Sequence, residues 1–260
     1  MRPILAVIML FTLTACSSFG SKPDADAKEK TASAETMYQK AKTDLDKKNF
    51  ESAVKQLESL QSRYPYGRYA QQAQLDLAYA YYRQSDPESA ISAADTFIKQ
   101  YPNNPYIDYA YYVKGLANFT PDMGIFGLTF GQDPTDRDPK AAKDSFAAFK
   151  DLVSRFPSSR YAPDSRLRMQ YLLDGLAKYE IHVANYYLRR GADIAAVNRA
   201  KEVLTEYPNT PSVQDALQIL VKGYDIMGLY KLRDDAQRVL NLNFPQTVSA
   251  GSNKVSAITR

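Results

Sequence analysis

The chain has no tryptophan, one cysteine and one histidine among its 260 residues. A single cysteine excludes an internal disulfide. A single histidine, His182, leaves no pair to hold a metal and only one base from which a catalytic triad could be built. A helical histidine standing alone is most often a packing or surface residue. The N-terminal apolar run, ILAVIMLFTL over Ile4–Leu13, stops at ten residues, short of the roughly 20 that cross a bilayer core as a helix. The glycines of GIFGLTFG lack the Gly-Lys-Ser/Thr ending of a phosphate loop. Asp133, Asp136 and Asp138 lack the spacing, turn glycine and terminal glutamate of an EF-hand, and Asp138 reads instead as a helix cap. No catalytic residue, metal site or cofactor is therefore expected. Neither sign of charge dominates: without Arg2 the chain keeps 32 basic and 29 acidic residues, net +3. That balance does not point to nucleic acid as a partner.

What the N-terminus does contain is a positive start, a short apolar stretch and small residues at its exit, which are the marks of a secretory signal peptide over residues 1–15. The one cysteine follows immediately, in the junction LTAC. A Leu-x-Ala-Cys junction resembles the lipobox of bacterial lipoproteins, and that resemblance implies an N-palmitoyl, S-diacylglycerol cysteine at Cys16. Lipidation also removes the liability of a lone thiol in an oxidising compartment. Several acyl chains, at about 0.8 kcal/mol per buried methylene, make a near-permanent anchor. Ser17 stands where enteric-type sorting places Asp in proteins kept at the inner membrane, so the expected address is the outer membrane, facing the periplasm. Residues 16–33 are small, polar and charged, and read as a tether. The tail 246–260 has the same character.

Between them, at 34–245, one ending recurs: SRYP at 62–65, KQYP at 99–102, SRFP at 154–157, TEYP at 205–208 and LNFP at 242–245. The prolines lie 37, 55, 51 and 37 residues apart. Helix-turn-helix units of about this length that finish in proline are the tetratricopeptide (TPR) pattern. The expected fold is therefore all-α, an α-solenoid of five TPR repeats ending near 65, 102, 157, 208 and 245. Small and large residues alternate in register, as in Ala41, Ala53, Leu57 and Leu60, or Val183, Ala184, Tyr187, Gly191, Ala196 and Val203. Small residues let paired helices approach, and large ones fill the layer between repeats. The fifth repeat breaks the pattern with Arg233 where Ala belongs. Asp86-Pro87, Asn104-Pro105, Asp138-Pro139 and Thr210-Pro211 are each expected to cap a helix ahead of a proline. The third repeat holds a Gly-rich, aromatic insertion at 120–137. The fourth is extended by 14 residues, close to four helical turns at about 3.6 residues per turn, which a single long or kinked helix can absorb.

Positions that line the concave face of such a solenoid fall on Tyr38 and Lys42, then Gln72, Leu75, Tyr79 and Tyr82, then Tyr109, Tyr112, Leu116 and Phe119. Rigid, amphipathic tyrosines suit an extended peptide, although any one ring could instead pack between repeats. The fourth and fifth repeats offer Lys178, Asn185, Arg189, Lys222 and Asp225 at these positions, so the two halves are expected to serve different partners. Arg189, Arg190 and Arg199, in the hairpin around Gly191, can pair with carboxylates of an acidic surface; alternatively they complement a helix end or pair with Glu180 and Glu202. Arg199 is expected to be exposed enough for charge reversal to leave the melting curve nearly unchanged.

The lipobox, the five repeats, the FG-x-D-x-x-DRDP type loop (here FGLTFGQDPTDRDP) and RRGADIAAVNRA together resemble the BamD (ComL) family, lipoproteins of the β-barrel assembly machinery of Gram-negative bacteria. The resemblance implies a non-enzymatic scaffold in the Bam complex with BamA, BamC and BamE. Its C-terminal repeats would dock on the periplasmic domains of BamA, and its N-terminal groove would receive unfolded outer-membrane protein substrates. A scaffold for cell-envelope or cell-division proteins is the alternative. A lytic cell-wall enzyme is disfavoured, because no residues remain for a catalytic domain.

Overall fold

A computed structural model describes residues 33–119 and 139–245. Ten helices follow one another: α1 (Ala34–Asp46), α2 (Phe50–Arg63), α3 (Arg68–Arg83), α4 (Pro87–Gln100), α5 (Ile107–Asn118), α6 (Lys140–Arg155), α7 (Ala162–Arg189), α8 (Asp193–Glu206), α9 (Val213–Ile226) and α10 (Tyr230–Asn243). Each packs on the next, and the first helices of several successive repeats also touch, α1 with α3, α3 with α5, and α7 with α9. This is an all-α solenoid of five helix pairs, with no strand among the described residues. The signal segment, Cys16, the tether before Ser33, the insertion at 120–137, Asp138 and the tail lie outside the described residues.

The recurring aromatic-proline ending has a local cause. Tyr64, Tyr101, Phe156, Tyr207 and Phe244 each close the second helix of a pair, donating a last backbone hydrogen bond to Leu60, Phe97, Leu152, Val203 and Leu240. The proline that follows disfavours helical geometry at the residue before it, and the chain turns there. The turns inside the pairs share another device. Lys48, Ser85, Gly191 and Gly228 all hold left-handed backbone, at φ near 61° to 70°. At Gly191 and Gly228 that conformation carries no Cβ strain, whereas Lys48 and Ser85 bear a cost that the surrounding helices impose.

Helix starts follow the expected caps only in part. Asp86 accepts from the Ser89 amide with Pro87 at the start of α4, as expected. Asn104 instead accepts from the Tyr106 amide at 2.9 Å, and α5 begins only at Ile107. Thr210 turns its hydroxyl to the Tyr207 carbonyl, leaving Ser212 to precede α9. Both Asn104-Pro105 and Thr210-Pro211 thus stabilise the turn before the helix rather than the helix itself. The fourth repeat's extra length is absorbed by one continuous helix, the 28-residue α7.

Burial follows the small-large alternation. Phe97, Phe149, Leu57, Leu60, Leu152 and Leu172 are shut off from solvent, with Ala41, Ala53, Ala78, Ala90, Ala94 and Ala196 fully buried between them. Burying each large side chain contributes roughly 1.5–3 kcal/mol. Arg233 is tolerated because its charge is answered at the surface. It stays partly exposed, paired with Asp225 at 2.7 Å and Asp234 at 2.8 Å and resting over the Tyr230 ring.

The tightest approach is between α5 and α6. A Cβ on Gly115 would lie 2.5–2.8 Å from three carbons of the buried Phe149 ring. Beside it the Ser145 hydroxyl donates to the Gly115 carbonyl at 2.9 Å. Gly115→Ala is expected to lower stability by about 1–3 kcal/mol through overpacking, read as a lower midpoint in thermal or urea unfolding. An unchanged midpoint would show that the ring has room to move.

Candidate functional site

The concave tyrosines are held by a repeated device, in which a phenol hydroxyl donates to a carboxylate on the next repeat's first helix. Tyr38 on α1 donates to Asp76 on α3 at 2.8 Å, and Tyr112 on α5 donates to Asp164 on α7 at 2.8 Å. Tyr81, on another face of α3, makes the same kind of bond to Glu58 of α2 at 2.5 Å. Each bond fixes a ring's tilt and keeps its aromatic face for contacts. The rings form two groups. Tyr38 leans on Tyr69 at 5.6 Å, and Phe50 meets Tyr79 edge-on at 6.1 Å. Further along, Tyr161 stacks on Tyr112 at 4.7 Å and leans on Tyr109 at 5.3 Å. Phe119 then approaches Tyr171 and Phe149.

Cations edge this aromatic wall. Arg83 lies 4.7 Å above the Phe50 ring and donates to the Tyr79 hydroxyl at 2.7 Å. Arg168 lies 4.6 Å above Phe119 while its Nε bonds Asp164 at 2.6 Å. Burial, reinforced by Asp164, pushes the Tyr112 phenol up to about 12. Burial likewise raises Tyr38, with Asp76 adding to it, and raises Tyr109 among its tyrosine neighbours. These hydroxyls therefore remain protonated donors at neutral pH. Burial pushes the Asp164 carboxyl upward too, but hydrogen bonds from Arg168 and Tyr112 outweigh it and hold the group below its usual range. Asp76 goes the other way: burial raises it, and the Tyr38 bond offsets only part.

Five of the six sequence-expected groove residues, Tyr38, Tyr79, Tyr82, Tyr109 and Tyr112, are partly exposed on this wall. Leu75 is a correction. It is 9% exposed and packs with Phe97, Ile107 and Leu152, so it belongs to the core. Those three partners come from α4, α5 and α6, which close over it. Several groove residues lay beyond the repeat pattern. Tyr161 sits in a turn, and Asp164 and Arg168 lie in the extension of α7, outside the register that marked the other positions. Only the four-residue Asp164–Arg168 spacing, that of an ion pair along one helix, signalled them.

The second candidate surface lies at the fourth repeat. Arg189 and Arg190 end α7 as exposed side chains, with Arg190 5.3 Å above the Tyr186 ring. Arg199 is different. Its guanidinium bonds Glu180 at 2.9 Å and approaches Glu202 at 3.7 Å. The Glu180 side chain is only 3% exposed. Burial raises its carboxyl despite Arg199, and Glu202 adds to the effect. The expectation that reversing Arg199 would leave stability unchanged is therefore corrected: Arg199 is the counterion of a buried carboxylate that joins α7 to α8.

None of these residues forms a nucleophile-base pair, and no group of three or more potential metal ligands occurs among the described residues. No helix among them is long and apolar enough to cross a membrane. The arrangement presents two chemically different surfaces, one aromatic and one basic.

Comparison with known proteins adds that residues 30–239 match the YfiO family, described as outer membrane lipoprotein. The chain is 42% identical over 95% of its length to an outer membrane protein assembly factor BamD of Neisseria meningitidis serogroup B, covering 93% of that relative. It is 37% identical to the BamD of Vibrio cholerae over 80% of this chain and 86% of that protein. To the BamD of Haemophilus influenzae it is 32% identical over 94% and 91%.

Arg199→Glu leaves Glu180 buried without its partner and adds a third negative charge beside it. A loss of about 3–5 kcal/mol is expected, as for breaking a buried pair. Arg189→Glu, at an exposed position, should shift stability by under about 0.5 kcal/mol. Urea unfolding of the two variants side by side measures the contrast, and equal midpoints would remove the special role of the Glu180 pair.

Proposed function

Because the chain belongs to the YfiO family of outer membrane lipoproteins, which includes the BamD assembly factors, we propose that it is a lipid-anchored, non-enzymatic scaffold of the Bam complex. It acts in the assembly of proteins into the outer membrane, and its place is that membrane. The observation that supports the scaffold reading is the division of one rigid solenoid into two chemically different faces. The N-terminal half presents the tyrosine wall, suited to an extended stretch of unfolded outer-membrane protein. The C-terminal half presents Arg189 and Arg190 beside Tyr186, suited to an acidic surface on the periplasmic domains of BamA. BamC and BamE complete the proposed set of partners. Cys16 carries the lipid and the membrane attachment, and the tether lets the solenoid stand off from the bilayer.

Pull-down from detergent-solubilised membranes tests the reading as a whole. Recovery of BamA supports it, and recovery of cell-division proteins without BamA would replace it with an envelope or division scaffold. Arg190→Glu is expected to weaken co-purification with BamA more at low salt than at high salt while leaving the melting curve in place, since an exposed charge is screened by ions. Insensitivity across the salt series would take Arg190 out of the interface. Cys16→Ala is expected to leave the leader uncleaved and the protein off the outer membrane, with the solenoid still folded. Intact-mass measurement of the mature N-terminus is the direct check, and an unmodified cysteine there would end the lipoprotein assignment.

A further inference from the structure

The aromatic groove contains one charged group that its surroundings leave incompletely answered. Asp76 projects from the middle of α3, and its Oδ2 accepts the Tyr38 hydroxyl at 2.8 Å. Tyr38 itself leans on Tyr69. Burial and Tyr161 do most to disfavour ionisation of the Tyr109 hydroxyl, and Tyr79 and Asp76 are near enough to add to it. Burial works against the Asp76 carboxylate, the Tyr38 bond and the field of Lys42 oppose that burial, and Asp46 adds repulsion. Among the described residues no salt bridge holds Asp76. A half-buried carboxylate whose hydrogen bond comes from a neutral phenol still favours a cation beside it.

The walls beside it are chemically matched to a cation. Arg83 already rests its guanidinium over Phe50 and, at 5.7 Å, over Tyr79, and it donates to the Tyr79 hydroxyl. The chain thus shows on its own residues how this aromatic wall receives a guanidinium. Aromatic rings and a half-buried carboxylate set beside one another favour the same kind of guest, a cation. An apolar side chain placed there would desolvate Asp76 further with nothing in return, a neutral donor would answer it without charge, and an acidic one would repel it.

We propose that Asp76, walled by Tyr38, Tyr79 and Tyr109, receives a lysine or arginine side chain of an extended peptide lying in the groove. This rests on the peptide-receiving reading of the N-terminal repeats and adds the chemistry that selects among peptides. The tyrosine faces accept apolar and aromatic residues on either side of the cation, and Asp76 sets the register.

The test uses the full-length lipidated protein in detergent and two short fluorescent peptides of alternating tyrosine and serine, with acetylated and amidated ends. One carries arginine at its centre and the other citrulline, which matches its shape without its charge. Fluorescence anisotropy should show the arginine peptide binding at least about tenfold more tightly, as expected for a charge-assisted bond supported by a cation-π contact. Asp76→Asn should bring that ratio toward one. Equal binding of the two peptides to the unmutated protein overturns the inference and leaves the groove reading standing. Binding of neither overturns the groove reading and the inference with it. A preference that survives Asp76→Asn places the cation elsewhere and overturns the assignment to Asp76. The comparison of the two peptides on the unmutated protein decides the matter even if Asp76→Asn does not fold.

Discussion

The close seating of small residues against large ones between paired helices is the contact on which the rest depends. Gly115 faces the Phe149 ring with no space for a Cβ, and Gly223 stands in the same relation to a methyl of Val197, 2.6 Å from where its Cβ would lie. Such contacts set how near the helices run, and interiors packed at crystal-like density pass small changes of spacing along the stack. A solenoid has no second core to compensate, because each repeat rests only on its neighbours. The line of tyrosines on the concave side is therefore only as regular as the seating beneath it.

That regularity is carried to the surface by hydrogen bonds that cross from one repeat to the next. Tyr38 to Asp76 and Tyr112 to Asp164 each tie a ring on one first helix to a carboxylate on the following one. They serve packing and recognition together, since a tyrosine held by its hydroxyl keeps a face to offer without further loss of side-chain freedom. The two carboxylates are treated differently. Asp164 has Arg168 as a directly bonded cationic partner, whereas among the described residues Asp76 has a phenol and the more distant field of Lys42. The groove is thus electrostatically uneven along its length, and an uneven groove can fix the register of a guest.

The fourth repeat shows how an apparent interface residue can be a structural one. Arg199 and Arg189 have the same chemistry and lie ten residues apart, yet one neutralises a buried glutamate and the other ends a helix in solvent. The consequence for function is indirect. The Arg199–Glu180 pair fixes α8 against α7 and so positions the exposed arginines that end α7.

The sequence by itself determined the architecture. The aromatic-proline endings recur because each is a local helix stop, legible wherever it occurs, and their spacing states the repeat. The 14-residue extension was readable as whole helical turns, but whether it formed one helix or two was not, and the structure shows one continuous α7. What only the tertiary structure decided were relations between residues distant in the chain. Tyr112 meets Asp164 and Tyr161 across some fifty positions, and no local pattern marks that meeting. Leu75 and Tyr79 share one helix and one expected face, yet Phe97, Ile107 and Leu152 cover the first while the second stays partly open. Arg199 could be named from the sequence as a cation within reach of Glu180, but the burial of Glu180, which makes that pairing obligatory, belongs to the packing of two helices, because the cost of an unpaired charge is set by the solvent that neighbouring elements exclude.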